Sequence, residues 1–96
     1  MPAYLMANIE ITDPAGFETY RARVPAVVAQ FGGKYRIRGN PPTLAEGKPF
    51  FTRLTVLEFP SMEAIQTFYD SPEYAPLLAI RIATTKSDVV FMPGVD

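Results

Sequence analysis

The chain of 96 residues contains no cysteine, no histidine and no tryptophan. Without cysteine and histidine it cannot form a disulfide, a thiolate or imidazole zinc site, or the histidine-assisted nucleophile of serine and cysteine hydrolases. Any chemistry must come from carboxylates, tyrosines, basic side chains, serines or the N-terminus, or from a haem or flavin supplied from outside the chain. We expect no cofactor held by the chain's own ligands.

The chain also has no excess of either charge, because it contains nine basic and ten acidic residues and its net charge is −1. A protein that neutralises phosphates needs a basic surplus, so nucleic acid is not an expected partner. No apolar run approaches the roughly 20 residues of a membrane span, and the N-terminus lacks the pattern of a signal peptide. With no cysteine to oxidise, a cytoplasmic location is the expectation.

The order of the predicted elements defines the fold class. Apolar residues alternate over residues 3–11, recur at helical spacing to about residue 31, and alternate again at 34–38 and 50–59. A helix follows Ser61, a second helical stretch covers about 73–83, and a last strand covers 87–93; a short extra strand at 43–45 is a further option. The order β-α-β-β-α-β predicts an α+β, ferredoxin-like fold with an antiparallel four-stranded sheet and helices on one face.

We expect residues 1–96 to form one domain that pairs with a second copy. Hydrophobic residues make up 48% of the chain, which is generous for a domain this small. Helices cover only one face of the predicted sheet, so the apolar residues of the other face need a cover. A second sheet packed face to face in a homodimer would supply it.

Several segments resemble one bacterial family. They are "GGKYRIRG", "LAEG", "RLTVLEFPSMEAIQTFYDSPEYAPLLAIRIAT" and "VVFMPG", which together cover nearly the whole chain. The family is known as domain of unknown function 1330 and is similar to the wider dimeric α/β-barrel superfamily. The resemblance implies a ferredoxin-like dimer with a pocket between sheet and helices, and it implies no activity. It carries over onto Gly32, Gly33, Arg38, Gly39, Gly47, Arg53, Glu58, Phe59, Ser61, Tyr69, Ser71, Pro72, Tyr74 and Arg81.

The segment "YDSPEYAP" at residues 69–76 is the joint between the two later helices. Ser71 suits an N-cap and Pro72 the first helical position, although Pro76 favours a later start. A tyrosine at such a joint can pack its ring and direct its hydroxyl into a cleft. We therefore place Tyr69, Ser71 and Tyr74 at the rim of a pocket, with Tyr20 of the first helix as a further ligand contact.

Arginines are the candidate anchors for a ligand. Arg53 is predicted inside an apolar strand, where an unpaired charge is costly, so it forms either an ion pair with Glu10 or a partner's Glu58, or an anion site. Arg81, together with Arg53 and Tyr74, could bracket a small organic acid.

Two further candidates are weaker. Lys34, Arg36 and Arg38 form a predicted basic row on an edge strand, where charges commonly prevent edge-to-edge pairing. Arg38 is nevertheless included among the candidate ligand contacts. Glu58 could act with Tyr74 in acid–base catalysis if it were desolvated, and otherwise pairs with an arginine.

Three functions remain open from the sequence. The leading hypothesis is a homodimer that binds or acts on a small organic acid in a pocket between sheet and helices. The second is a non-catalytic ligand-binding or stress-response module. The third is a tautomerase, in which removal of Met1 would leave the amine of Pro2 as a general base.

Overall fold

The computed structural model describes residues 1–49 and 51–96. Its elements, in chain order, are β1 (Ala3–Ile11), α1 (Pro14–Gln30), β2 (Lys34–Asn40), β3 (Leu54–Phe59), α2 (Met62–Tyr69), α3 (Ala75–Thr84) and β4 (Thr85–Pro93). The four strands form one antiparallel sheet in the order β2-β3-β1-β4. The predicted α+β, ferredoxin-like fold is confirmed, with the second helical region divided into α2 and α3.

Local signals in the sequence set the helix ends. The Asp13 carboxylate accepts a hydrogen bond from the Gly16 amide at 3.1 Å, which caps α1. Ser61 caps α2 in the same way, through the Ala64 amide at 3.0 Å. α3 begins at Ala75, the position next to Pro76, rather than near residue 73. The preceding turn is held by Ser71, whose hydroxyl donates to the carbonyl of residue 68 at 2.7 Å.

Four strand predictions need correction. β3 begins at Leu54, so residues 51–53 precede it, and Phe50, where the strand was expected to begin, lies outside the described residues. No strand forms at 43–45 within the described chain. β2 and β4 are each two residues longer than predicted, at the C-terminal end of β2 and the N-terminal end of β4.

The core lies between the helices and one face of the sheet. Alternate residues of β1, from Ala3 to Ile9, are at most 8% exposed and meet a cluster of aromatic rings from the helices. Phe68 stands at its centre, with ring centroids 5.3 Å from Phe59 and 4.4 Å from Tyr74. Burying one such ring contributes about 1.5–3 kcal/mol.

Gly33 lets β2 approach this core closely. A Cβ atom there would lie 2.7 Å from both Phe59 Cζ and Val28 Cγ1, so no side chain fits without displacing one of them. The glycine therefore fixes how closely the start of β2 packs on α1 and β3.

The opposite face of the sheet has no helix over it. Met6 at its centre pairs with Val56 on one side and Val90 on the other. Val90 and Met92 are 52% and 47% exposed, and Ile37 of β2 is 40% exposed. We call this the outer face; it is an apolar surface on a two-layer molecule whose Cα atoms span only 16 Å in the thin direction.

Candidate functional site

A cavity of about 180 Å³ lies between the helix-facing side of the sheet and the helices. An apolar cavity of about 150 Å³ is enough for benzene, so the volume suits a ligand of about one ring with small substituents. Its walls are mainly apolar. The lining consists of Leu5, Ala7, Ile9, Ile11, Phe17, Tyr20, Arg21, Val24, Tyr35, Arg38, Gly39, Arg53, Thr55, Leu57, Phe68, Tyr69, Tyr74, Arg81 and Val89.

Tyrosines form a polar cluster at the inner end of the cavity. The hydroxyls of Tyr20 and Tyr74 lie 2.8 Å apart, and both residues are buried. Tyr20 comes from the buried stripe of α1, whereas Tyr74 stands at the N-cap position of α3. Burial raises the pKa of Tyr20 far above its ordinary value, and the neighbouring Tyr74 raises it further. Tyr20 therefore keeps its proton and can donate a hydrogen bond.

Arg81 is the buried cation of this cluster. It lies in the last turn of α3, is 5% exposed, and donates from Nη2 to the Tyr69 hydroxyl at 2.9 Å. Burial by itself lowers the pKa of Arg81, but contact with Tyr74, Tyr20 and Tyr69 outweighs burial and the net shift is upward. Across residues 1–49 and 51–96, no carboxylate lies within 4.0 Å of this guanidinium.

Three more arginines surround the open end of the cavity. Arg21, Arg38 and Arg53 all line it and are all exposed. The lining contains no aspartate or glutamate among the described residues. The cavity therefore combines apolar walls with four positive charges and no negative one, which is an arrangement suited to an organic anion.

A β-bulge places Arg38 at the cavity. Tyr35 pairs with Leu57, but the next paired residue is Ile37, opposite Val56, so Arg36 is an extra residue in β2. The predicted row of Lys34, Arg36 and Arg38 on one face is therefore wrong. Beyond the bulge the faces exchange, and Arg38 turns to the helix side, where its Cζ lies 4.8 Å from the centroid of the Tyr35 ring.

Arg53 differs from its prediction in position and burial. It precedes β3 and is exposed, so it is not a charge buried within a central strand. The predicted ion pair with Glu10 is absent from the described residues. Its carbonyl accepts from the Ile9 amide at 3.0 Å, which fixes its backbone beside β1 at the edge of the cavity.

Two predicted site residues lie elsewhere. Glu58 is on the outer face, where it accepts from Arg36 Nε at 3.1 Å. This hydrogen bond is the main reason that the pKa of Glu58 is lowered, so its carboxylate is ionised and is not the desolvated base that catalysis with Tyr74 would require. Ser71 is buried within the turn before α3 and is not part of the lining.

Among the lining residues that sequence reasoning did not name as candidates are Arg21 and Tyr35. Arg21 is four positions after Phe17 on α1, and its Cζ lies 5.6 Å from the centroid of that ring, so helical spacing could have indicated it. Tyr35 was expected on the face opposite Arg38, and only the bulge brings the two together. Pro2 is not in the lining; its carbonyl accepts from the Gly94 amide at 2.8 Å.

Comparison with known proteins identifies the family. Residues 2–95 match the family described as domain of unknown function (DUF1330), and the chain belongs to it. No curated protein matches.

Solved structures share the fold. A protein of unknown function from Rhodopseudomonas palustris, RPA0582, is 17% identical, with 99% of this chain and 83% of that chain covered and a TM-score of 0.78. A dimeric ferredoxin-like protein of unknown function from Jannaschia is 12% identical over 98% and 100% of the chains, with a TM-score of 0.71. SnoaB from Streptomyces nogalater, a cofactor-independent oxygenase, is 17% identical over 99% and 94%, with a TM-score of 0.70.

Within the described residues, no group of three or more acidic side chains could hold a metal ion. No helix there is long and apolar enough to cross a membrane.

Proposed function

We propose that the protein binds a small, partly apolar organic acid in the cavity, with the carboxylate against Arg81. The observation that carries the proposal is the burial of Arg81 without a carboxylate partner in the described chain. A buried cation is costly unless it is paired, and tyrosine hydroxyls satisfy hydrogen bonds but supply no counter-charge. A ligand carboxylate would supply that charge, and the adjacent apolar walls would take its ring or chain.

A thermal-shift comparison of benzoate with benzamide tests this proposal. The two molecules have nearly the same shape and differ in charge, so only benzoate should gain from Arg81. We expect benzoate at 100 times its dissociation constant to add about 2.7 kcal/mol to the free energy of unfolding, seen as a higher melting temperature. Equal shifts with both compounds, or a shift with neither, would count against a carboxylate site.

We also propose that the protein is a homodimer joined through its outer faces. Its accessible surface is 6100 Å², whereas a compact monomer of its mass, 10.6 kDa, is expected to expose about 5,500 Å². The apolar side chains of the outer face are among the exposed surface, and a second copy would cover them. Several proteins of the same fold are described as dimeric, which supports the same assembly here.

A catalytic role is the second candidate, favoured by the Tyr20–Tyr74 hydroxyl pair beside Arg81. A protonated hydroxyl of this pair could donate to the carbonyl oxygen of a bound keto acid and promote its enolisation, with water taking the carbon-bound proton. That SnoaB is a cofactor-independent oxygenase shows only that this fold can carry catalysis without a cofactor. A non-catalytic binding module would use the same anion site without turnover.

Proton exchange of phenylpyruvate in D₂O separates these two roles. If the pair is catalytic, the parent protein should accelerate exchange at the methylene carbon, and Tyr74→Phe should slow it by about 100-fold with little change in KM. Exchange would be followed by proton NMR. Pro2→Ala serves as the control, since Pro2 lies outside the lining, and loss of exchange in that variant would instead favour the tautomerase. No exchange above the uncatalysed rate would indicate a binding module.

A further inference from the structure

The positive charges of the cavity fall into two groups at different depths. Arg81 is buried with the tyrosines, whereas Arg21, Arg38 and Arg53 are exposed at the open end. Arg21 already contacts Glu18 at 3.8 Å, so Arg38 and Arg53 form the second group. A ligand with one carboxylate would use only the first group. An exposed arginine is ordinarily a solvated charge. A binding role for the second group therefore has to be argued from the features that hold its side chains at the cavity.

The sheet register shows that the two groups lie over different rows of the sheet. Tyr69 packs on Phe91 with centroids 5.3 Å apart, and Phe91 pairs with Leu5, so the tyrosine cluster lies over this row of the sheet. Arg38 belongs to the next row towards the open end, opposite Thr55, and Arg53 lies beside Ile9 in the row after that. Successive residues on one face of a strand lie roughly 6.6 Å apart, so acidic groups bound over neighbouring rows would be separated by about the distance across a para-disubstituted benzene ring.

Local backbone features hold Arg38 in place. The bulge at Arg36 moves it to the helix side of β2, and the following Gly39 has φ +72°, a conformation that other residues rarely adopt. The guanidinium also packs over the half-buried Tyr35 ring in a cation–π contact, with Arg38 Cζ 4.8 Å from the ring centroid. Together these features place the guanidinium at the cavity and not on the outer face.

We propose that the natural ligand is a rigid organic dianion whose second acidic group binds between Arg38 and Arg53. This inference rests on the proposed function, which supplies the first carboxylate contact at Arg81. The ligand class is a small cyclic or aromatic diacid, with its apolar body between Ala7, Leu57 and the helix side chains. Both acidic groups are then paired with arginines, and the ring replaces water against the apolar wall.

Calorimetric titration with two matched compounds, terephthalate and 4-carbamoylbenzoate, tests the inference. They share one ring and one carboxylate, but the second group is a carboxylate in the first and a neutral amide in the second. We expect terephthalate to bind about tenfold more tightly, since the second group gains a partly desolvated arginine contact. The double variant Arg38→Gln, Arg53→Gln should remove that preference and leave binding of 4-carbamoylbenzoate nearly unchanged.

Arg23→Gln is the control for general electrostatic attraction, because Arg23 is an exposed arginine of α1 outside the cavity lining. It should retain the preference for terephthalate. Equal affinity of the parent for both compounds would overturn the dianion while the carboxylate site stands. A preference that survives in the double variant would also overturn it. Binding of neither compound, nor of benzoate, would overturn the carboxylate site and the dianion together.

Discussion

Replacing Arg81 with methionine is expected to weaken binding of small carboxylic acids strongly while the free protein stays folded. Methionine fills much of the same space, and the change removes both the burial of a cation and the tyrosine contacts that offset it. Loss of a charged hydrogen-bonding partner from a buried site usually costs about 2–5 kcal/mol of binding, which corresponds to a 30-fold or greater rise in Kd. The melting temperature of the ligand-free variant should lie close to that of the parent.

The result distinguishes a binding residue from a structural one. A variant that melts well below the parent, and recovers stability with lysine but not methionine, would make Arg81 a structural cation held by the tyrosines. Calorimetric titration with benzoate and thermal unfolding without ligand are the two measurements. Arg23→Met is the matched control, because Arg23 is exposed and outside the cavity, and it should change neither.

Introducing a charge at Val90 is expected to convert the proposed dimer to a monomer. Val90 is 52% exposed in a single chain and pairs with the central Met6 on the outer face. In a monomer Val90→Glu would place a carboxylate in water and change stability by little, within about 0.5 kcal/mol. In a dimer it would bury two carboxylates against apolar side chains, which is strongly unfavourable.

Light scattering at micromolar concentration measures the outcome. The parent should have twice the chain mass, whereas the variant should have the chain mass, a lower melting temperature and more exposed apolar surface. Ile82→Glu is the control, because Ile82 is 66% exposed on α3, on the helix side of the sheet. A parent that is monomeric at these concentrations, or a Val90→Glu variant that remains a dimer, would contradict assembly through the outer face.

Much of the fold is accessible from the sequence because its local signals agree with its tertiary structure. The alternation in β1 matches its buried face, and Asp13 and Ser61 cap the helices that follow them. Errors arise where tertiary context decides. The segment before Leu54 has a strand-like composition, yet it is not paired with β2. The pairing between β2 and β3 ends at Leu54, which lies opposite Asn40.

The candidate site was only partly predictable, for a similar reason. Tyr74 and Arg81 could be named because the helical joint and the last turn of α3 have recognisable patterns. Their contact with Tyr20 joins residues 54 positions apart and depends on how α1 packs on α3. Glu58 pairs with an arginine, which was one of its two predicted roles, and is not a desolvated base. The face of Arg38 was mispredicted because period-two alternation assumes a strand with no extra residue.

The bulge in β2 lets the strand carry one more residue without changing which side chains reach the cavity entrance. Deleting Arg36 would restore regular alternation and leave the faces as they are, with Ile37 on the outer face and Arg38 towards the helices. A single lost codon would thus remove the contact between Arg36 and Glu58 and leave the basic entrance in place. Related chains could gain or lose this one residue and keep the same charge at the entrance.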